Sequence, residues 1–227
     1  MSILIGTTPT RTFDDSRRWA REGTALLTGA IDGLSAADPS TSSGHRLEAD
    51  SQLPGWTRKH LVGHVAANAD ALGNLISWAE TGVEKRMYAS TEQRNADIEA
   101  AATRPAEELR EWYLRSAREL DAAMDRLTAE QWEHEVITAQ LVTRPARDVP
   151  WMRAREVFIH AVDLGVGITF ADLPDDFLLV LAGEIRTKRG LSDDDLRGVS
   201  GTLPEVAAWL AGRPHGLVDA PELGPWL

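Results

Sequence analysis

"HLVGHVAANA" (residues 60–69) and "REVFIHAVDLG" (residues 155–165) decide how this chain is read. In both, apolar residues recur at the three-and-four spacing of a helix face. Yet His60 and His64 interrupt the first stretch and His160 the second, with Glu156 one helical turn before His160. The chain has only six histidines, so half of them fall in two segments that would bury more easily without them.

On a wheel of about 100° per residue, the first stretch extends to "GWTRKHLVGHVAANADALGNLISWAETG", with Thr57 as N-cap and Gly82 as stop. Leu61, Val65, Leu72 and Leu75 share one sector, His64 lies on its border, Asn68 well inside it, and His60 further out. In the second stretch Trp151, Val157, Phe158, Ala161, Val162 and Leu164 cover most of the circumference. Arg153, Glu156, His160 and Asp163 are confined to a narrow remaining sector. Two readings stand side by side. The sector is a thin solvated stripe in which Glu156 and His160 form an i,i+4 surface pair, or it faces a polar cavity inside a bundle, where facing helices build metal sites from Glu and His. Two nitrogens and a carboxylate suit Zn²⁺ and leave positions open for water or substrate.

Two further long helices read from the same periodicity. One runs through "FDDSRRWAREGTALLTGAIDGL" with Phe13, Trp19, Leu26, Leu27, Ile31 and Leu34. The other opens at Pro105 with Leu109, Trp112, Leu120, Ala123 and Leu127 on one face. Pro150 opens the fourth long helix, which ends at Gly165 or Gly167. Residues 1–11 read as a loose arm and 35–54 as a Ser/Pro/Gly-rich loop. A short helix is expected within "STEQRNADIEAA" and a short strand at "EVITAQLV". After "ITFADLP" two shorter helices and a Pro/Gly-rich tail follow. The expectation is a mainly α fold: a four-helix bundle over 1–169 and a small, reduced C-terminal α(+β) domain over 170–227.

A net charge of −11 in 227 residues disfavours nucleic acid as a partner. The one basic patch, Arg186 to Arg189, reads as the exposed end of a helix. No basic leader precedes an apolar run and no segment approaches a membrane span, which points to a cytoplasmic protein. With no leftover apolar helix face, a monomer is expected. Cysteine is absent, so the chain has no thiolate ligand or nucleophile of its own.

The stretches "LPGWTRKHLVGHVAANADAL", "GVEKRMYAS", "RNADIE", "VPWMRAREVFIHAVDLG", "EVAAWLAGR" and "LGPWL" resemble the mycothiol-dependent maleylpyruvate isomerases, members of the DinB-like metal-binding four-helix superfamily. The resemblance runs over residues 53–227. It implies a divalent metal, zinc, on His64, Glu156 and His160, with His60 as a rival for the first position. It implies mycothiol as a low-molecular-weight thiol cofactor, with Arg94, Tyr88 and Ser90 as its binding residues. Arg213 matches an arginine that the family brings to the active site, where it would read a carboxylate of the dianionic substrate; Arg94 and Arg86 rank behind it. The implied C-terminal domain resembles sterol carrier proteins, but residues 189–206 leave little room for its hairpin.

The implied reaction turns maleylpyruvate into fumarylpyruvate. A double bond rotates only after a thiolate adds to it, and elimination of the thiolate restores it as the trans isomer. A mycothiol S-transferase on the same scaffold and a non-catalytic metal-binding stress protein are the competing expectations.

Overall fold

The computed structural model describes residues 10–35, 47–224 and 226. Most of the expected N-terminal arm and loop therefore lies outside the described residues. The described residues separate into two compact units, one over Phe13–Val166 and one from Gly167 onward that also takes in residues 10–12.

The first unit is built on four long helices. Helix α1 (Phe13–Ser35) carries Asp14 and Asp15 in its first turn, where carboxylates oppose the positive end of the helix dipole. It buries Trp19, Leu27, Ile31 and Leu34. Helix α2 (Arg58–Thr81) buries the predicted stripe of Leu61, Val65, Leu72, Leu75 and Ile76, and stops at Gly82, whose φ of 74° is left-handed. The short helix α3 (Thr91–Ala102) hides only Ile98 and Ala101. Helix α4 (Ala106–Arg126) follows, then a hairpin of β1 (Glu135–Ile137) and β2 (Thr143–Pro145), antiparallel, with Val136 opposite Arg144. Helix α5 (Val149–Asp163) has Pro150 in its first turn, where the missing N–H costs nothing.

The helices pair α1 with α5 and α2 with α4, and α2 also meets α5. Gly23 and Gly63 permit two close approaches. A Cβ on Gly23 would stand 2.5 Å from Val157 Cγ2, and one on Gly63 would stand 2.5 Å from Ala101 Cβ.

One face differs from expectation. On α4 the buried positions are Leu109, Tyr113, Ser116, Leu120 and Met124, so Tyr113 takes the place predicted for Trp112. The spacing of four, three, four and four keeps one face inward, and the tyrosine hydroxyl reaches Thr28 Oγ1 at 3.1 Å and donates to Thr24 O at 3.2 Å. Trp112 stays half-buried and donates to Asp70 Oδ2 at 2.8 Å.

The second unit contains α6 (Asp175–Arg189) and α7 (Leu203–Leu210), preceded by a 3₁₀ turn at Phe170–Asp172. Thr202 and Glu205 close a capping box on α7. Its core includes Phe177, Leu181, Ile185 and Trp209. No strand occurs among its described residues. The basic cluster Arg186 to Arg189 is the last turn of α6, before Gly190.

Candidate metal centre

The centre is assembled where α2 meets α5. Arg58, at the first turn of α2, donates to the carbonyls of Leu164 (2.7 Å) and Gly165 (3.0 Å), and Gln52 N–H donates to Asp163 O at 2.8 Å. These bonds satisfy the free carbonyls at the end of α5 and hold the start of α2 against it. His64, two turns along α2, thereby comes opposite Glu156 and His160.

His64 Nε2 is 3.0 Å from Glu156 Oε2, and His160 Nε2 is 3.3 Å from the same oxygen. The two imidazoles meet edge to face with centroids 5.0 Å apart. Both histidines are buried and the Glu156 side chain is 16 % exposed. The narrow polar sector of α5 is therefore enclosed rather than a solvated stripe: α1 and α2 flank the helix, and Arg153, His160 and Asp163 are all buried.

His160 Nδ1 donates to Asp163 Oδ2 at 2.9 Å. That bond turns Nε2 toward Glu156 and keeps a proton on Nδ1 when Nε2 gives up its own to a metal. Sequence reasoning placed Asp163 in the polar sector without a role; its signal was its position three residues after His160. Nothing in the sequence marked Arg58.

Charge is divided unequally between the histidines. Burial lowers the His64 pKa, and the pull of Glu156 does not overcome it. Burial also acts against the His160 cation, but Asp163 and Glu156 together outweigh it and raise its pKa to about 9. Burial works against the Glu156 carboxylate too, yet hydrogen bonds from His160 and His64 hold its pKa well below the ordinary value. Arg94 Nη2 donates to His64 Nδ1 at 3.3 Å. A neutral His64 then carries its proton on Nε2 and donates it to Glu156, while His160 is the charged ring.

The donor set fits a divalent cation. Tetrahedral ligands about 2.0–2.1 Å from a shared zinc lie about 3.3 Å apart, close to the separations from Glu156. The three donor atoms all fall within 4.8 Å of one another. His60 does not join them. Its Nδ1 accepts from Thr57 N–H (3.2 Å) at the start of α2, and its Nε2 faces Glu99 at 3.4 Å.

A cavity of ≈ 230 Å³ is lined by Arg86, Tyr88, Ser90 and Arg94 and, from the hairpin, by Ile137 and Thr138. The Arg94 guanidinium lies over the Tyr88 ring at 5.8 Å as well as against His64, so it connects cavity and metal centre. Burial raises the Tyr88 pKa, with the Glu156 charge adding to it, which keeps the phenol a proton donor. Ser90 Oγ accepts from Gln93 N–H at 3.1 Å and caps α3. Asn68 accepts from Arg153 Nη1 at 3.0 Å, a structural bond. Arg213 belongs to the second unit, where it is buried and its Nη1 donates to Ala211 O at 2.8 Å and Trp226 O at 2.9 Å.

Residues 20–165 match the protein family described as the mycothiol maleylpyruvate isomerase N-terminal domain. Among solved structures, the chain resembles the mycothiol-dependent maleylpyruvate isomerase with a TM-score of 0.83 and 37 % identity, over 95 % of this chain and 98 % of that one. A histidine-to-alanine mutant of a mycothiol-dependent maleylpyruvate isomerase matches with the same TM-score and coverage at 36 % identity. No curated protein matches.

Proposed function

The chain belongs to the mycothiol-dependent maleylpyruvate isomerase family, and from that premise we propose that it isomerises maleylpyruvate to fumarylpyruvate using mycothiol and a zinc ion. The observation that carries this reading is the convergence of His64, Glu156 and His160 in a chain with no cysteine. The sulfur must come from a free thiol, because the protein offers none.

His64, Glu156 and His160 would hold the cation, which when bound supplies the charge that lowers the thiol pKa toward the thiolate. Asp163 keeps His160 Nε2 aimed at that position by holding the proton on Nδ1. Metal ligation through His64 Nε2 requires its proton to move to Nδ1, which Arg94 now faces. Two donors cannot share that contact, so Arg94 gives it up and becomes available to an anion in the neighbouring cavity.

The thiolate adds to one carbon of the cis double bond, and the electron pair moves onto the keto oxygen as an enolate. The remaining single bond rotates. Collapse of the enolate then expels the thiolate and leaves the trans double bond. Arg94 supplies a positive charge and Tyr88 an O–H donor where this negative charge develops. The cavity lined by Tyr88, Ser90 and Arg94 accommodates the polar body of the thiol. Arg213 is assigned to a substrate carboxylate on the strength of the sequence resemblance, and Arg213→Gln should raise KM more than it lowers kcat.

The decisive assay mixes protein, Zn²⁺, mycothiol and maleylpyruvate and follows the absorbance change to fumarylpyruvate, beside chelated and thiol-free samples. Turnover with the thiol recovered is expected. Thiol consumed one-for-one with substrate would replace the isomerase by an S-transferase. Metal binding without thiol-dependent turnover would leave a binding protein.

A further inference from the structure

A second cavity, ≈ 260 Å³, opens between α1 and α4, and none of the three metal ligands lines it. Its apolar wall includes Ala25, Leu114, Ala117 and Leu120. Thr24 and Thr28 add hydroxyls, and Arg153 of α5 forms part of the wall. Arg21 and Asp121, paired at 3.1 Å, also line it and join the two helices.

Arg153 is the unusual element. It is 2 % exposed, and both of its hydrogen bonds leave from Nη1 to neutral acceptors, Val65 O (2.8 Å) and Asn68 Oδ1 (3.0 Å). Its Nη2 is buried with no hydrogen-bond partner. The carboxylates that act on it through space are engaged elsewhere: Glu156 with His64 and His160, Asp70 with Trp112. A buried guanidinium that keeps a free N–H and lacks a paired anion is costly. Arg153 hydrogen-bonds to none of the three metal ligands.

We propose that this cavity is a second ligand site, which takes a small monocarboxylate with an apolar body. The carboxylate pairs with Arg153, and the body lies against the α1 and α4 side chains. The volume suits a fragment-sized molecule, smaller than the usual cofactor pocket. A carboxylate supplies both the missing charge and the missing acceptor, whereas a neutral molecule of the same shape supplies at most the acceptor.

The test uses full-length, zinc-loaded protein and two probes of one shape, benzoate and benzamide, followed by amide chemical-shift mapping. Benzoate should saturate, with shifts centred on Thr24, Thr28, Ala117 and Leu120, and bind at least about tenfold more tightly than benzamide. Ala117→Leu, which fills the cavity, should weaken benzoate at least about tenfold, and His64→Ala should leave it bound at the same place. Should Ala117→Leu fail to fold, the shift map and the benzamide comparison decide alone. Absence of saturation, equal binding of benzamide, or shifts centred on His64 that vanish in His64→Ala would each overturn the proposal.

Discussion

His160 Nδ1 and Asp163 Oδ2 lie 2.9 Å apart, three residues from each other on α5 and both buried. The carboxylate holds the Nδ1 proton of His160, so Nε2 faces Glu156 and is the nitrogen that gives up its proton when a metal binds. Asp163→Asn keeps the shape but can present an amide N–H to Nδ1, which allows the opposite tautomer. Zinc affinity should fall about 10–100-fold, as read by competition with a chromophoric chelator. An unchanged affinity would remove Asp163 from the centre.

The metal-free protein should lose stability as pH rises above neutrality. His160 titrates at about 9 when folded against about 6.5 unfolded. Its contribution is therefore complete below about 6.5 and is lost as pH climbs through about 9. Glu156 and His64 act on the acid side. Both have lowered folded pKa values, so the stability they contribute is present above their ordinary values and declines as pH falls. Urea midpoints of chelated protein between about pH 6 and 10 should decrease toward the alkaline end. In His160→Gln the alkaline decline should flatten; a decline of unchanged size would place the proton elsewhere.

His60 and His64 share a helix but not a role. His64→Ala removes a donor 3.0 Å from Glu156 and should abolish stoichiometric zinc binding with helical content retained. His60→Ala removes the acceptor for Thr57 N–H at the start of α2. It should cost about 0.5–2 kcal/mol of stability, as other helix caps do, while zinc still binds. Zinc titration and urea unfolding of the pair separate the two effects, and the reverse pattern would put His60 in the centre.

Much of this arrangement was legible beforehand. Apolar spacing located the four long helices of the first unit, and the short helix at Thr91–Ala102 and the strand at Glu135–Ile137 fall within the stretches expected to hold them. The i,i+4 spacing of Glu156 and His160 and the border position of His64 drew attention to the side chains that meet. A wheel does not show what lies opposite a face, however. The polar sector of α5 was equally compatible with solvent until α1 and α2 were seen on either side of it. Arg58 escaped notice because its role is set by carbonyls 106 and 107 residues away. The exchange of Tyr113 for Trp112 rests on a hydroxyl finding Thr24 and Thr28 on another helix, which one helix's periodicity cannot report.

Two glycines of α1 should respond oppositely to alanine. In a helix interior, alanine is favoured over glycine by about 0.8–1.0 kcal/mol. A Cβ on Gly29 meets nothing within 4 Å, so Gly29→Ala should stabilise by about that amount. A Cβ on Gly23 would stand 2.5 Å from Val157 Cγ2 and 3.1 Å from the Phe158 ring. Val157 is β-branched and has one strongly preferred rotamer on a helix, so it cannot turn aside cheaply and α1 must lift from α5. Overpacking of this kind costs about 1–3 kcal/mol, enough to cancel or exceed the propensity gain. Gly23→Ala should therefore lower the urea midpoint relative to Gly29→Ala. Because Val157 adjoins Glu156, it should also weaken zinc binding, which Gly29→Ala should leave unchanged. Equal midpoints for the two variants would mean that α1 and α5 are not held as closely as the Gly23–Val157 contact requires.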